Sequence, residues 1–263
     1  MQSADPGQGT EAEALVAAIA DQVSYLRIEL DPAADDGWIA TSSLLADPSA
    51  LLDLIRATGA GRAAPDDQVA ASLWFQAYAF RAALPVIAPV ALGLAGLSAD
   101  PAVTSIRIAR NRPAAIAVSS RELVHRTPVQ AASALLGEHL APVAEAVSSV
   151  VTVGQRLLWG NAAASCATVL RALEGAPGAD RASIRRIADE VMAGATAWFD
   201  GLGWFDVVEE SGVEGWYWTR TNCCLWDRCE GASRCDDCSL TSPADLDAAR
   251  RAALQQAALE GAS

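Results

Sequence analysis

Cysteine spacing carries the clearest chemical signal in this 263-residue sequence. Five of the six cysteines lie in the range 223–238. Cys223 and Cys224 are adjacent, ten residues separate this pair from Cys235, and Cys235 and Cys238 form a Cys-x-x-Cys pair. Thiols spaced this closely bind a metal ion or an iron–sulfur cluster, or they pair as disulfides.

Three kinds of chemistry compete for this module. Disulfides are least favoured, because thiols stay reduced in the cytoplasm and Cys229, inside the ten-residue interval, makes the number of cysteines odd. Four-thiolate zinc sites usually use two Cys-x-x-Cys-like pairs, and only the second half of this pattern has that form. Adjacent cysteines in an extended strand point to opposite faces, so Cys223 and Cys224 need an irregular turn to reach one metal ion. Two iron atoms tolerate that geometry more readily. The spacing favours an iron–sulfur cluster, with structural zinc as the alternative.

The same residues resemble a known family. The Cys-Cys-x10-Cys-x-x-Cys pattern is similar to the C-terminal motif of the FhuF-type ferric siderophore reductases, and Arg220 and Leu225, which flank the adjacent pair, also fit it. The run Leu-Trp-Gly-Asn at 158–161 is similar to a second stretch of that family. By motif the resemblance covers only parts of the range 158–238, and Cys229 lies outside the family's four cysteines.

The resemblance implies a redox function. It predicts that a [2Fe-2S] cluster is held by Cys223, Cys224, Cys235 and Cys238. Such a protein binds a ferric siderophore of the hydroxamate type and gives one electron to its iron, which loosens the chelate because hard oxygen ligands hold Fe(III) better than Fe(II). The sequence contains no dinucleotide fingerprint, so electrons are expected from a separate ferredoxin or reductase. The alternatives are an iron–sulfur electron carrier without a siderophore site and a non-catalytic structural zinc protein.

Other residues near and beyond the cysteines have weaker signals. The tryptophans at 216, 218 and 226 either shield a cluster or pack a small module. The arginines at 220, 228 and 234 either dock a partner, donate hydrogen bonds near the cluster, or are solvated. Cys166 is expected to be a small buried hydrophobic residue. His125 and His139 belong to no motif and are expected to be structural.

Composition excludes some functions and bounds others. The chain is 52% hydrophobic, has no lysine, and carries a formal charge of -13. This acidity argues against nucleic-acid binding, which depends on clustered positive charge. The polar start, Met1–Gly9, does not look like a signal peptide, so a cytoplasmic protein is expected. The uncharged stretch Ala82–Ala99 reaches the lower limit for a membrane span of roughly 18 residues. Its prolines favour a buried core segment, broken near Pro85, over contact with a membrane surface.

The pattern along the chain predicts an α+β fold, mainly helical, with a small antiparallel sheet and a C-terminal cysteine module. Residues 1–197 are predicted to form a mainly helical substrate-binding region, and 198–263 an iron–sulfur module of the same compact unit. Helices are predicted at Thr10–Val23, Ser42–Thr58, Pro65–Arg81, Asp180–Ala195 and after Ser242, with at least two more between Pro128 and Leu173 and a break near Pro142. Strands are predicted at Ser24–Leu30, Thr104–Ala109, Ala114–Val118 and Gly215–Thr221, the middle two as a hairpin turning at 111–113.

Overall fold

Helices make up most of the structure, a computed structural model that describes residues 6–33, 37–121 and 123–261. The α+β class predicted from the sequence is confirmed. The helices are α1 (Pro6–Gln22), α2 (Thr41–Ala46), α3 (Pro48–Ala60), α4 (Asp67–Ala91), α5 (Pro128–Ser133), α6 (Ala141–Val150), α7 (Gln155–Glu174), α8 (Arg181–Gly194), α9 (Thr196–Phe199) and α10 (Pro243–Gly261). The strands are β1 (Ile28–Leu30), β2 (Trp38–Ala40), β3 (Gly96–Leu97), β4 (Thr104–Ala109), β5 (Arg112–Val118), β6 (Leu123–Val124), β7 (Gly203–Glu210) and β8 (Val213–Arg220).

Helix α4 lies at the centre of the core. Its first turn begins as predicted, with the Asp66 carboxylate accepting a hydrogen bond from the Val69 amide at 2.9 Å, the usual role of an N-cap aspartate. Trp74, Phe75 and Tyr78 are fully buried. The helix packs against α7, α3 and β5. Helix α4 is therefore the element that positions both the sheet and the C-terminal module.

The predicted break near Pro85 is wrong. Helix α4 continues to Ala91 with Pro85 and Pro89 inside it. Each proline removes one backbone hydrogen bond, but almost every side chain of this half is buried, and that packing holds the helix together. Among the described residues α4 is also the one helix long and apolar enough to cross a membrane, and 78% of its apolar window is buried inside the protein.

The main sheet has the strand order β1-β5-β4-β2. Strands β4 and β5 form the predicted hairpin, but its turn is made by Arg110 and Asn111, both at positive φ (50° and 60°). Two such residues form the type of turn that suits the twist of a two-residue hairpin. Strand β2 extends the sheet antiparallel to β4. The short strand β1 pairs parallel to β5, so the sheet is mixed at that edge.

Two helical predictions need correction. The single helix predicted over 42–58 is two helices, because Asp47 caps α3 by accepting from two of its backbone amides and Pro48 occupies its first turn. The break predicted near Pro142 is also wrong. Pro142 lies in the first turn of α6, directly after a π-helical segment (134–140), whose wider turns accommodate such irregularities. The chain leaves the helix at 151–154 instead.

A second hairpin carries the C-terminal module. Strand β8 forms as predicted and pairs antiparallel with β7, a strand that the sequence analysis missed. Phe205 stacks on Trp216 with ring centroids 3.9 Å apart, and Trp218 packs edge-on against the same ring. Helix α10 packs on both strands. The Nε of Arg171, on α7, donates to the Trp216 carbonyl at 2.8 Å. The hairpin is thus fixed to the helical region, while the division of roles at residue 197 stays a prediction.

A buried chain of polar side chains crosses the core beside α4. The Tyr78 hydroxyl lies 3.2 Å from the Thr41 hydroxyl and 2.8 Å from His139 Nε2. Nδ1 of His139 lies 2.9 Å from the Ala99 carbonyl, and Thr104 donates to Thr41 at 3.0 Å. Because burial disfavours the charged imidazole, the pKa of His139 is lowered to about 4. His139 is therefore structural and neutral.

The neutral state of His139 predicts a pH dependence of stability. The unfolded chain binds this proton near pH 6.5 and the folded chain near pH 4, so unfolding is favoured as the pH falls through this window. The expected loss between pH 7 and pH 5 is about 2 kcal/mol of unfolding free energy. It is measured by urea denaturation of the native protein, His139→Gln and His125→Gln.

His125 is exposed and serves as the matched control. His139→Gln should be less stable at pH 7 but lose about 2 kcal/mol less than the native protein on acidification, whereas His125→Gln should follow the native protein. Equal acid sensitivity in all three proteins would contradict the assignment.

Candidate metal centre

An irregular turn at the end of β8 presents the adjacent cysteines. Leu225 has a left-handed backbone (φ 67°), and a short 3-10 turn follows at Trp226–Arg228. The Leu225 amide donates to the sulfur of Cys223 at 3.2 Å. The irregular turn required for Cys223 and Cys224 is thus present, and amide donors of this kind stabilise thiolate ligands and influence cluster potentials.

Cys224 and Cys235 bring the two halves of the motif together. Their sulfur atoms lie 3.4 Å apart and both thiols are free. Two thiolates on one tetrahedral metal, each at about 2.3 Å, lie roughly 3.8 Å apart, so this pair needs only a small adjustment to share a metal. The Cys238 amide donates to the Cys235 carbonyl at 3.1 Å, which closes the Cys-x-x-Cys turn. The sulfur of Cys238 is buried.

Cys223 is oriented differently. Its thiol donates to the Asp227 carboxylate at 3.1 Å, and burial, followed by that carboxylate, raises its pKa to about 12. Within the described ranges no three His, Cys, Asp or Glu side chains are placed to hold a metal ion as they stand. To act as a ligand, Cys223 must lose its proton and turn from Asp227. The assignment of the four ligands stays a prediction.

Cys224 is the most acidic of these thiols. The hydrogen bond from Cys235 lowers the pKa of Cys224 to about 6, helped by the Trp226 amide and the charge of Arg220, while burial opposes them. The pKa of Cys235 is raised, because this thiol supplies the shared proton. Deprotonation is therefore favoured at Cys224 over Cys235, and a thiolate is the form that binds a metal.

Arg220 places a buried positive charge beside the module. Its side chain is only 2% exposed. Nη2 donates to the Asn161 amide oxygen at 2.8 Å, whereas Nε and Nη1 have no hydrogen-bond partner. Among the described side chains Arg220 forms no ion pair with a carboxylate. A buried charge without a counterion is costly. A [2Fe-2S] cluster with four thiolate ligands would carry net negative charge once its two sulfides are counted, so the residues present fit such a cluster.

Two further residues connect this arginine to a cysteine backbone. Asn161 Nδ2 donates to the Ser72 carbonyl at 3.0 Å and lies 2.9 Å from the Ser72 hydroxyl. The Ser72 hydroxyl donates to the Cys224 carbonyl at 2.7 Å. Helices α4 and α7 thereby hold the turn. The sequence analysis missed Ser72, and its signal is a single hydroxyl within the apolar run 69–75.

The run at 158–161 has a structural explanation. A methyl group on Gly160 would overlap the side chain of Asn222, so Asn222 packs directly on the backbone of α7. Its amide atoms are buried without partners at the residue that precedes the adjacent cysteines. Gly160 and Asn161 therefore form one surface of α7 on which the C-terminal module packs.

The other cysteines and arginines singled out from the sequence lie in different environments. Cys166 is buried within α7 as expected, and burial raises its pKa to about 12. Cys229 is buried near the module, with its pKa raised mainly by burial. Arg228 forms an ion pair with Asp66 at 2.7 Å, and Arg234 is exposed.

A cavity of about 360 Å³ adjoins the module. Cys235 and Trp226 form part of its wall, and the rest comes from the helical region and β5. Its lining also includes Leu73, Phe80, Arg62, Arg81 and Arg112. The volume is within the range of small-molecule sites. Arg62 stacks over Trp226, with its guanidinium carbon 5.0 Å from the ring centroid.

Fold and site together define an α+β protein with a thiol centre that faces a ligand-sized cavity. Residues 72–197 match the family described as ferric iron reductase FhuF-like transporter, and this match supports the resemblance to the FhuF-type family that the cysteine motif indicates. The matched range includes Ser72, Asn161 and most of the cavity wall but ends before the cysteines. Comparison with curated proteins gave no match.

A substitution at Gly160 tests whether the cysteine module packs on the backbone of α7. Gly160→Ala is expected to displace Asn222 and cost about 1–3 kcal/mol of unfolding free energy, with loss of metal from the purified protein. Gly154→Ala is the control, because a methyl group there meets nothing within 4 Å. Denaturation and metal analysis of both variants measure the effect. Equal stability and metal content would contradict the packing argument.

Proposed function

We propose that the protein is a cytoplasmic ferric-siderophore reductase that carries a [2Fe-2S] cluster on Cys223, Cys224, Cys235 and Cys238. The FhuF-type family supports ferric iron reduction. The observation that carries the proposal is the position of Cys235, which belongs both to the thiol pair and to the cavity wall. A ferric chelate in that cavity would contact a cluster ligand directly.

The proposed reaction moves one electron. When bound, the cluster supplies an electron at low potential to the substrate Fe(III), which becomes Fe(II) and leaves its hard oxygen ligands. A ferredoxin or reductase returns one electron to the protein. Trp226 and Phe80 give the cavity apolar faces, and Arg220 holds the adjacent-cysteine turn through Asn161. The substrate class expected from the family resemblance is a hydroxamate siderophore.

The two alternatives differ from this proposal in testable ways. A structural zinc protein would use the same thiols, but it would not need a cavity with a metal-binding cysteine in its wall. An electron carrier needs an exposed cluster edge and no substrate site. The cavity beside Cys235 favours the reductase over both.

Cluster content tests the proposal. Protein purified without oxygen should be red-brown, contain iron and sulfide in equal amounts, and bleach with dithionite. Substituting any one of the four proposed ligands by serine should remove most of the iron and sulfide. Cys166→Ser is the matched control, because that thiol is buried within α7 and is not one of the four proposed ligands.

Cys229→Ser tests whether the fifth cysteine of the module can act as a ligand. It should retain the cluster if the four proposed ligands are correct. Colourless protein with one zinc per chain would refute the reductase, and loss of the cluster in Cys229→Ser with retention in Cys223→Ser would refute the ligand set.

Arg220 should raise the reduction potential of the cluster. A neighbouring unit charge at an effective dielectric constant of about 20 contributes on the order of 1–3 kcal/mol, which for one electron is roughly 40–130 mV. Arg220→Gln is therefore expected to lower the potential by tens of millivolts, measured by a spectroscopic redox titration. Arg220→Lys should retain most of the native value.

Arg234→Gln is the control, since this arginine is exposed and its charge is screened by solvent. A potential equally changed in both glutamine variants, or unchanged in both, would contradict the role of the buried charge.

A further inference from the structure

The cavity beside Cys235 is positively charged in an otherwise acidic protein. Arg62, Arg81 and Arg112 all line it, although the chain has a formal charge of -13. No aspartate or glutamate is among its lining residues. The cavity therefore has the opposite sign to the average surface.

These three arginines have no carboxylate partners in the described chain. None takes part in an ion pair, and Nε of Arg81 is buried without a hydrogen-bond partner. Burial, then the charge of Arg112, lowers the pKa of Arg81. Burial, then Arg62 and Arg110, lowers the pKa of Arg112. The guanidinium groups thus repel one another.

The cysteines do not account for this charge. Arg220 supplies the cation that acts on Cys224 and Cys235, and Arg62 is close enough to act on Cys229. Among the described residues, the charged groups that lower the pKa values of Arg81 and Arg112 are other arginines. Two of the three positive charges therefore face the cavity without a counterion, and an anion in the cavity would relieve their repulsion.

We propose that the cavity selects ferric chelates with net negative charge, such as hydroxamates that also bear free carboxylates, over neutral tris-hydroxamates. This inference rests on the proposed function. Three hydroxamates neutralise Fe(III), so a complex of that kind offers the arginines no charge. A chelate with two hydroxamates and citrate-type carboxylates is an anion, and its carboxylates can accept paired hydrogen bonds from guanidinium groups. Phe80 and Trp226 would contact its apolar arms.

Gallium(III) complexes test the selectivity without electron transfer, because gallium is not reduced. The two probes are the gallium complex of a neutral hexadentate tris-hydroxamate and that of a citrate-based bis-hydroxamate. Their binding to the full-length protein, purified with its metal centre, is measured by calorimetry at two salt concentrations. The anionic complex should bind at least about tenfold more tightly, and salt should weaken it.

Substitutions of the cavity arginines test whether these residues cause the preference for the anionic complex. Arg81→Gln and Arg112→Gln should each reduce the preference by about tenfold, and Arg112→Lys, which keeps the charge, should retain part of it. Arg121→Gln is the control, because it makes the same change of net charge at an exposed residue outside the cavity lining. Circular dichroism confirms that each variant is folded.

The outcomes separate this inference from the proposed function. Equal or tighter binding of the neutral complex, or a preference unchanged in both cavity variants, overturns the charge selectivity while reduction of ferric chelates still stands. Binding of neither complex overturns the selectivity and the assignment of this cavity as the substrate site. Absence of electron transfer to any ferric chelate refutes the reductase itself.

Discussion

The structure depends on a buried series of three polar contacts between the helical region and the cysteine turn. Arg220 reaches Asn161 on α7, Asn161 reaches Ser72 on α4, and Ser72 holds the carbonyl of Cys224. Each of these groups is buried, and a buried polar group without a partner costs about 1–3 kcal/mol. The three contacts therefore act together. They fix the turn against two helices of the core that pack on each other, α4 and α7, and the cysteine loop needs no large core of its own.

Different arginines supply the positive charge beside the thiols and the positive charge in the cavity. Arg220 is buried and acts on the thiols, whereas Arg81 and Arg112 act on the cavity. Cys235 is the residue common to both. In the proposed function, a cation behind the cysteines would favour a reduced cluster, and cations in the cavity would favour an anionic chelate. The proposed electron transfer and the proposed chelate selectivity would then depend on different arginines.

The sequence predicted features that depend on neighbouring residues better than features that depend on long-range contacts. The helix starts predicted near Pro65 and Asp180 and the β4–β5 hairpin depend on neighbouring residues, and they are confirmed. The break at Pro85 was wrong because burial in the core outweighs the lost hydrogen bond, which local sequence cannot show. The cysteine module was noticed from its spacing, and the set of four ligands, which the family resemblance implies, stays a prediction. Ser72 could not be predicted, because its role arises from contact across 152 positions of the chain.

Rapid mixing tests the central claim most directly. Protein reduced without oxygen is mixed with a ferric hydroxamate chelate, and the visible absorbance is followed together with Fe(II) captured by a coloured Fe(II)-specific chelator. The account predicts that the oxidised spectrum returns as one Fe(II) forms per cluster, at a rate well above that of Fe(II) formation without protein. A reduced spectrum that persists beside the chelate, or Fe(II) formation at the rate seen without protein, would contradict it.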